Sequence, residues 1–329
     1  MRPTTKSKIV QIIKKEYTEK IEDPILPLFL KFFQEKFSDC LISVILYGSM
    51  IDPLTRKPGS FHDFYIVVDS YRRAYSDIAN LLLNKILPPS VYLGKVESNG
   101  EENICKYNVI SFSDLCESIK NPKDIYIVGR FAKRLHILYA RSDIFTDKIL
   151  ELCADAFDFN LRYTIPLLER FDFTTLIRET LTLSYLGEVR IESKTKIEEL
   201  LEAHRLFYEN VYGLLFSDYK YENEGVLTEE IVDENGSEKT YWTRVSETIP
   251  SKEEVVKFLR KSARLGVARW PKGLITFRGY KEYLFGKAER SKQELNLTEL
   301  DRRLPLLFGW RHVFRLWREG KLRAGIDKK

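Results

Sequence analysis

Apolar residues recur along this chain at two spacings. Ile9, Ile12, Ile13, Tyr17 and Ile21 fall at helical intervals within 7–38, which predicts helix there with a break near Pro24 and Pro27. Val44-Ile45-Leu46-Tyr47 and Phe64-Tyr65-Ile66-Val67-Val68 are unbroken apolar runs, predicting strands over 42–47 and 63–69. The intervening residues 53–60 hold Pro, Gly and basic side chains, as a loop beside a site would. A helix is predicted over 72–86, ending before Pro88-Pro89. Strands follow at 91–96 and 104–110 around the turn dipeptide Asn99-Gly100, and Ser113-Asp114 is expected to cap the next helix.

From about 145 to 216 the pattern is helical throughout. Residues 218–250 are acidic, with Asn235-Gly236 between apolar stretches at 226–232 and 240–245, the mark of an exposed hairpin. Residues 252–289 read as helical and basic. The final stretch, 301–329, carries nine Lys/Arg against three acids, and Leu306, Trp310, Val313, Phe314 and Trp317 share one helical face. A basic amphipathic helix with tryptophans on its apolar side suits a membrane interface; the alternative is a helix docked on its own domain. The expected fold is α/β, a mixed sheet with helices over 1–144. A mainly helical domain follows over 145–299, with a hairpin insertion at 218–250, and a basic amphipathic tail occupies 300–329.

The 329 residues are 44% apolar, enough for a large core or two domains, and 31% charged. No run approaches the ~20 apolar residues of a membrane span. Met1-Arg2-Pro3-Thr4 leads into a lysine-rich stretch without an apolar signal core, and Glu16, Glu19, Glu22 and Asp23 are at odds with an organelle presequence. Cys40, Cys105, Cys116 and Cys153 lack zinc-site spacing and are expected to be reduced thiols. The net charge of +5 permits binding to anionic membranes or nucleic acid and demands neither.

The candidate chemistry lies where the first apolar run meets Gly48-Ser49 and the second carries Asp63. Glycine after a strand lets backbone N–H groups approach phosphate, and a serine hydroxyl adds a donor. A carboxylate on the neighbouring strand can hold Mg²⁺ together with substrate phosphates. A nucleotidyltransferase sheet presents a triphosphate to a metal-bound carboxylate in this way, although Gly-Ser after a strand is also an ordinary turn. His62, beside Asp63, alternates to the opposite strand face and is expected to be structural. Asp69, roughly 20 Å along the strand from Asp63 at ~3.3 Å per residue, is too far to share its ion.

Five segments in order resemble the mitochondrial-type CTP:phosphatidate cytidylyltransferases, also called translocator assembly and maintenance proteins. They are the segment from Tyr47 to Asp69; Val91-Tyr92 with Cys105-Lys106-Tyr107-Asn108-Val109-Ile110-Ser111; Ile125-Tyr126-Ile127-Val128-Gly129-Arg130 with Lys133; Leu183-Ser184-Tyr185-Leu186-Gly187-Glu188-Val189-Arg190; and Lys261-Ser262 with Pro271-Lys272-Gly273-Leu274-Ile275-Thr276. The chain departs from the family's pattern at Met50, Asn108 and Phe277-Arg278, which stand where the family has Gly, Gly and Ala. The family's Asn/His/Tyr-rich segment after the second strand is replaced by residues 70–89.

The resemblance implies transfer of CMP from CTP to phosphatidic acid, giving CDP-diacylglycerol and pyrophosphate with Mg²⁺ as cofactor. Asp63 would ligate the metal, and Tyr47, Gly48 and Ser49 would bind the nucleotide. Arg130 and Lys133 would clamp its phosphates, and Lys106 and Lys272 would complete the catalytic set. Tyr65 occupies the place of the usual second carboxylate; Asp52 is a possible substitute. Ser184, Tyr185 and Arg190 are expected in a hinge or core. The implied setting is a bacterial cytoplasmic enzyme on the inner face of the cell membrane, held by its C-terminal helix to an anionic surface. Rival readings are a soluble phosphorylated sugar or alcohol as acceptor, a nucleic-acid-binding protein using the basic stretches at 252–289 and 301–329, and a degenerate nucleotide-sensing module.

Overall fold

The computed structural model of the chain describes residues 1–51, 56, 60–86, 88–98, 100–186, 196–234 and 236–276, the last seven of these by backbone alone. Two helices open it, α1 (Pro3–Thr18) and α2 (Leu26–Phe37), each with proline in its first turn, where the missing N–H breaks no helical bond. Asp23 secures the break between them by accepting the Ile25 N–H at 3.0 Å. Ile9, Ile13 and Tyr17, four residues apart, form the buried stripe of α1.

Five strands make the main sheet: β1 (Leu41–Tyr47), β2 (His62–Val68), β3 (Ser90–Ser98), β4 (Glu101–Ser111) and β5 (Leu135–Ala140). Their order is β3-β4-β2-β1-β5. Only the β2–β4 pairing is parallel among these neighbours; β1–β2, β1–β5 and β3–β4 are antiparallel. The crossover that a parallel pair requires is supplied by α3 (Tyr71–Ala74), α4 (Ile78–Ile86) and β3. The central strands β1 and β2 are covered on both faces, which is why they read as continuous apolar runs. Ile42, Ile45, Tyr65, Val67 and Ile110 join the core beneath α1. Val44, Leu46, Phe64, Ile66, Val68 and Val109 join the core beneath α2.

The helix expected over 72–86 is two helices. Asp77 accepts the Asn80 N–H at 2.7 Å and so starts α4 afresh after the extended Tyr75. The helix α5 (Phe112–Lys120) is capped by Ser111, two residues before the expected cap, because its hydroxyl accepts the Asp114 N–H. Asp124 caps α6 (Ile125–Phe131) in the same manner.

The mainly helical region comprises α7 (Asp143–Thr164), α8 (Phe173–Leu186), α9 (Lys196–Ala203), α10 (Arg205–Glu222) and α11 (Lys252–Thr276). It is not helical throughout 145–216: β6 (Arg170–Phe171) interrupts it. This strand pairs with β8 (Ser237–Arg244), which pairs in turn with β7 (Leu227–Glu234), so the expected hairpin is part of a three-stranded sheet. Trp242 of β8 packs edge-on against Phe216 of α10, fixing that sheet to the helices. Gly236 turns the hairpin at φ +80°. The basic tail at 300–329, and the part of 252–289 beyond Thr276, lie outside the described residues. Among the described residues no helix is long and apolar enough to cross a membrane. All four cysteines are free thiols, three of them buried.

One buried base responds to pH. His136 of β5 pairs with Leu46, and burial, reinforced by Arg134, lowers its imidazole to about 4. The unfolded chain therefore takes up this proton near pH 6.5 while the folded chain does not until about pH 4. Stability falls as pH drops through that window and is unaffected by this group above it. His136→Gln is expected to flatten urea-unfolding stability between pH 6.5 and 4, removing a slope worth on the order of 3 kcal/mol.

Candidate active site

The two-residue period of the central strands brings the polar residues together. Tyr47 at the end of β1 lies opposite Asp63 of β2, and Asp63 lies beside Lys106 of β4 in the parallel register. Tyr65 and Asn108 follow two residues along on their strands and point to the same face. The Lys106 Nζ sits 2.7 Å from Asp63 Oδ1, so the acid predicted as metal ligand and the predicted catalytic lysine form an ion pair.

Gly48 follows at φ +86°, a conformation that side chains disfavour. A Cβ there would lie 3.4 Å from Asp63 Oδ2, so the glycine keeps one edge of the carboxylate clear. The turn closes with an Ile51 N–H directed to the Gly48 carbonyl at 3.5 Å. Ser49 follows in this turn. Beyond it, Arg56 Nε donates to the Met50 carbonyl at 3.3 Å and its Nη2 meets Asp23 Oδ2 at 3.2 Å. The same carboxylate meets His62 Nε2 at 3.1 Å. His62 thus lies on the opposite strand face from Asp63, as expected, and braces the loop rather than lining the site.

Tyr65 stands where a second carboxylate was sought. It is fully buried, its ring 5.0 Å from that of Tyr47 and 5.3 Å from Phe131, so this position serves the core. Asn108 donates through Nδ2 to the Tyr47 hydroxyl at 2.7 Å and to the Phe64 carbonyl at 3.3 Å, fixing the tyrosine. Burial first, then the negative Asp63, pushes the Tyr47 hydroxyl well above its usual range, while Arg130 and Lys106 oppose that shift. Tyr47 therefore stays protonated and can donate.

Arg130 lies in the last turn of α6, not at a helix start. It stacks over the Tyr126 ring at 3.7 Å and donates to the Tyr126 carbonyl. Lys133, just past α6, sits over the Tyr185 ring at 3.6 Å. Ser184 is buried, in keeping with a core role, and Gly129 explains it: a Cβ on Gly129 would meet Ser184 Cβ at 2.8 Å. The chain contact between α6 and α8 is possible only because residue 129 has no side chain. Lys272 falls on the last turns of α11, and its side chain lies outside the described residues, as do Asp52 and Arg190. Asp69 pairs with Arg73 and Arg141 at the other end of β2.

Among the described residues no three His, Cys, Asp or Glu side chains cluster as a metal cage. Mg²⁺ does not need one, since it commonly takes one or two carboxylates and completes its shell with phosphate oxygens and water. The Asp63 edge kept clear by Gly48 fits that requirement.

Sequence reasoning missed two features. Asn108 lies two residues after Lys106, and strand alternation could have placed its amide on the site face. Arg269 of α11 had no such signal: its Nη2 meets Asp124 Oδ2 at 2.8 Å, and its guanidinium lies 4.4 Å from the Tyr126 ring centre.

Two glycine substitutions test this geometry. Gly48→Ala is expected to cost about 1–2 kcal/mol in equilibrium unfolding, through its left-handed backbone alone. Gly129→Ala is expected to cost about 1–3 kcal/mol by forcing α6 from α8, with Gly213→Ala, whose Cβ would meet nothing closer than 3.7 Å, as the comparison.

The sequence profile of the family described as mitochondrial phosphatidate cytidylyltransferase matches residues 61–265. That span includes Asp63, Lys106, Arg130 and Lys133; Tyr47, Gly48 and Ser49 precede it, and Arg269 and Lys272 follow it. Curated relatives include the mitochondrial phosphatidate cytidylyltransferases of Schizosaccharomyces pombe, 31% identical over 36% of this chain, of Homo sapiens, 28% over 55%, and of Bos taurus, 28% over 55%. The alignments span 30%, 45% and 60% of those proteins respectively. A nucleotidyltransferase-like protein from Exiguobacterium sibiricum 255-15 aligns over 90% of each chain at 12% identity, with a TM-score of 0.25, too low to bear on fold or function.

Proposed function

This chain belongs to the mitochondrial phosphatidate cytidylyltransferase family, and from that premise we propose that it transfers CMP from CTP to phosphatidic acid, forming CDP-diacylglycerol and releasing pyrophosphate. The observation that carries the reading is the Asp63–Lys106 pair set against the side-chain-free turn at Gly48.

In this reaction a phosphate oxygen of the acceptor attacks the α-phosphorus of CTP as the bond to the β-phosphate oxygen breaks. A phosphomonoester is already nucleophilic near neutral pH, so the protein's task is alignment and charge neutralisation rather than strong base catalysis. The Gly48 turn offers backbone N–H groups and the Ser49 hydroxyl to the β- and γ-phosphates. Arg130 and Lys133 hold the triphosphate by fixed positive charge, each steadied by an aromatic ring beneath it. Tyr47, kept protonated and oriented by Asn108, donates to a phosphate oxygen. Asp63 and the nucleotide phosphates would hold Mg²⁺, which when bound supplies neutralisation of charge on the leaving group. Lys106, paired with Asp63, stands ready for the phosphate that displaces it. Lys272 is assigned to the phosphates of either substrate. The proposed setting is a membrane surface, approached by the basic C-terminal segment.

Pyrophosphate release from CTP and Mg²⁺ with phosphatidate in mixed micelles tests the reading. Wild type is expected to turn over only with phosphatidate present, and Asp63→Asn to fall by at least about a hundredfold. Release with a soluble phosphomonoester in place of phosphatidate would move the acceptor. Turnover undiminished in Asp63→Asn would overturn the assignment of the site.

A further inference from the structure

Two arginines from different parts of the chain converge on one aromatic ring. Arg130 from the end of α6 and Arg269 from α11 each place the guanidinium carbon within 4.4 Å of the Tyr126 ring centre. Stacking occupies the flat face of a guanidinium, while its N–H edge is suited to planar, paired hydrogen bonds to an oxyanion. Among the described residues one carboxylate, Asp124, is paired with Arg269, through Nη2, and the Pro88 carbonyl approaches that same nitrogen at 3.4 Å. The Arg269 side chain is 11% exposed, and its Nε and Nη1 are buried without a hydrogen-bond partner among the described residues. Charged N–H groups removed from water and left unpaired are costly, and a ligand bearing several oxygens offsets that cost.

The place of this pair gives the ligand its chemistry. Helix α6 reaches the Asp63 face of the sheet through Phe131, whose ring lies 5.3 Å from that of Tyr65, itself 5.0 Å from Tyr47, and Arg130, the preceding residue, opposes the upward shift of the Tyr47 hydroxyl. An anion held by these arginines is thereby placed on the Asp63 side of the sheet. The position is also fixed from behind. The Ser262 hydroxyl of α11 accepts the Ile125 N–H at 3.0 Å, and Asp124 both caps α6 and pairs with Arg269, so α11 is laid along the first turn of α6.

We propose that Arg269 and Arg130, stacked on Tyr126, form a phosphate-binding subsite beside the Asp63–Lys106 pair, in which Arg269 contacts the ligand directly. The ligand class is a phosphomonoester or the polyphosphate of a nucleotide. In assigning the subsite to one of the two substrates, the inference rests on the reaction proposed above; phosphate binding itself does not.

The rival to be beaten is a purely structural brace, with Arg269 serving only to tie α11 to α6. Arg269→Gln and Asp124→Asn both remove that ion pair, and asparagine preserves the helix cap. Thermal unfolding of the full chain is followed while inorganic phosphate and pyrophosphate are titrated without metal. The subsite predicts that wild type and Asp124→Asn gain melting temperature with either anion, whereas Arg269→Gln loses at least half of that gain. Arg269→Lys, which keeps the charge but not the fork, guards against misfolding of the glutamine variant and is expected to fall between. Equal anion-induced gains in all four proteins, or an equal loss in Arg269→Gln and Asp124→Asn, would overturn the proposal in favour of the brace.

Kinetics then identify the source of the phosphate. Loss of a charge-assisted hydrogen bond should raise the KM for one substrate by about tenfold or more. A rise for CTP assigns the subsite to the nucleotide, and a rise for phosphatidate assigns it to the acceptor. A KM unchanged for both in Arg269→Gln would overturn direct contact. Wild type that gains stability with pyrophosphate but turns over neither substrate would refute the reaction while leaving the subsite in place.

Discussion

The register of β2 between β1 and β4 is the constraint from which the site follows. Asp63 meets Tyr47 on one side and Lys106 on the other only because both pairings hold in step. A slip of one residue would send the carboxylate to the opposite face, into the phenylalanines beneath α2, and bring Phe64 to the polar face. The aromatic packing on that second face guards against such a slip. Phe64 lies within ring contact of Phe29 and Phe33, and Tyr107 packs against Phe33. The chemistry on one side of the sheet is thus held in place by apolar packing on the other.

Around the sheet, two close approaches govern where the cationic side chains arrive. Gly129 lets α8 touch α6, which sets the end of α6 from which Arg130 projects and leaves Lys133 above Tyr185. Ser262 and Arg269 hold the other end of the same short helix. A seven-residue helix has little stability of its own. Its position is borrowed from two longer helices distant in sequence.

The elements most visible in the sequence were those with an unambiguous period. The apolar runs of β1 and β2 emerge within one residue of their predicted limits and the hairpin strands within three, because burial on both faces and turn chemistry are local. The alternation that sends His62 away from Asp63 was equally legible. Helix starts were not. Ser111 and Ser113 are both plausible caps, and only packing selects the first. Tyr65 was visible as a missing carboxylate but not as a ring between Tyr47 and Phe131, since that role depends on α6. The two-residue β6 carries too little pattern to be read, and it changes the hairpin from an appendage into a sheet. Arg269 reaches Tyr126 across well over a hundred residues, and nothing local announces such a meeting. The ion pair between Asp63 and Lys106 belongs between these cases. Each residue was picked out, and the parallel register that joins them could be seen only in three dimensions.

The first helix has a consequence for the order in which the protein assembles. Thr5 donates to Asp218 across 213 positions, Arg2 pairs with the same carboxylate, and the stripe of Ile9, Ile13 and Tyr17 packs into a core built largely from α7 and α10. During synthesis, α1 leaves the ribosome long before either of those helices exists. Its apolar face therefore waits for these helical partners through the production of the entire five-stranded sheet. Contacts so distant along the chain delay folding and prolong exposure of sticky surface. Helix α1 therefore completes its packing only after α10 has been made.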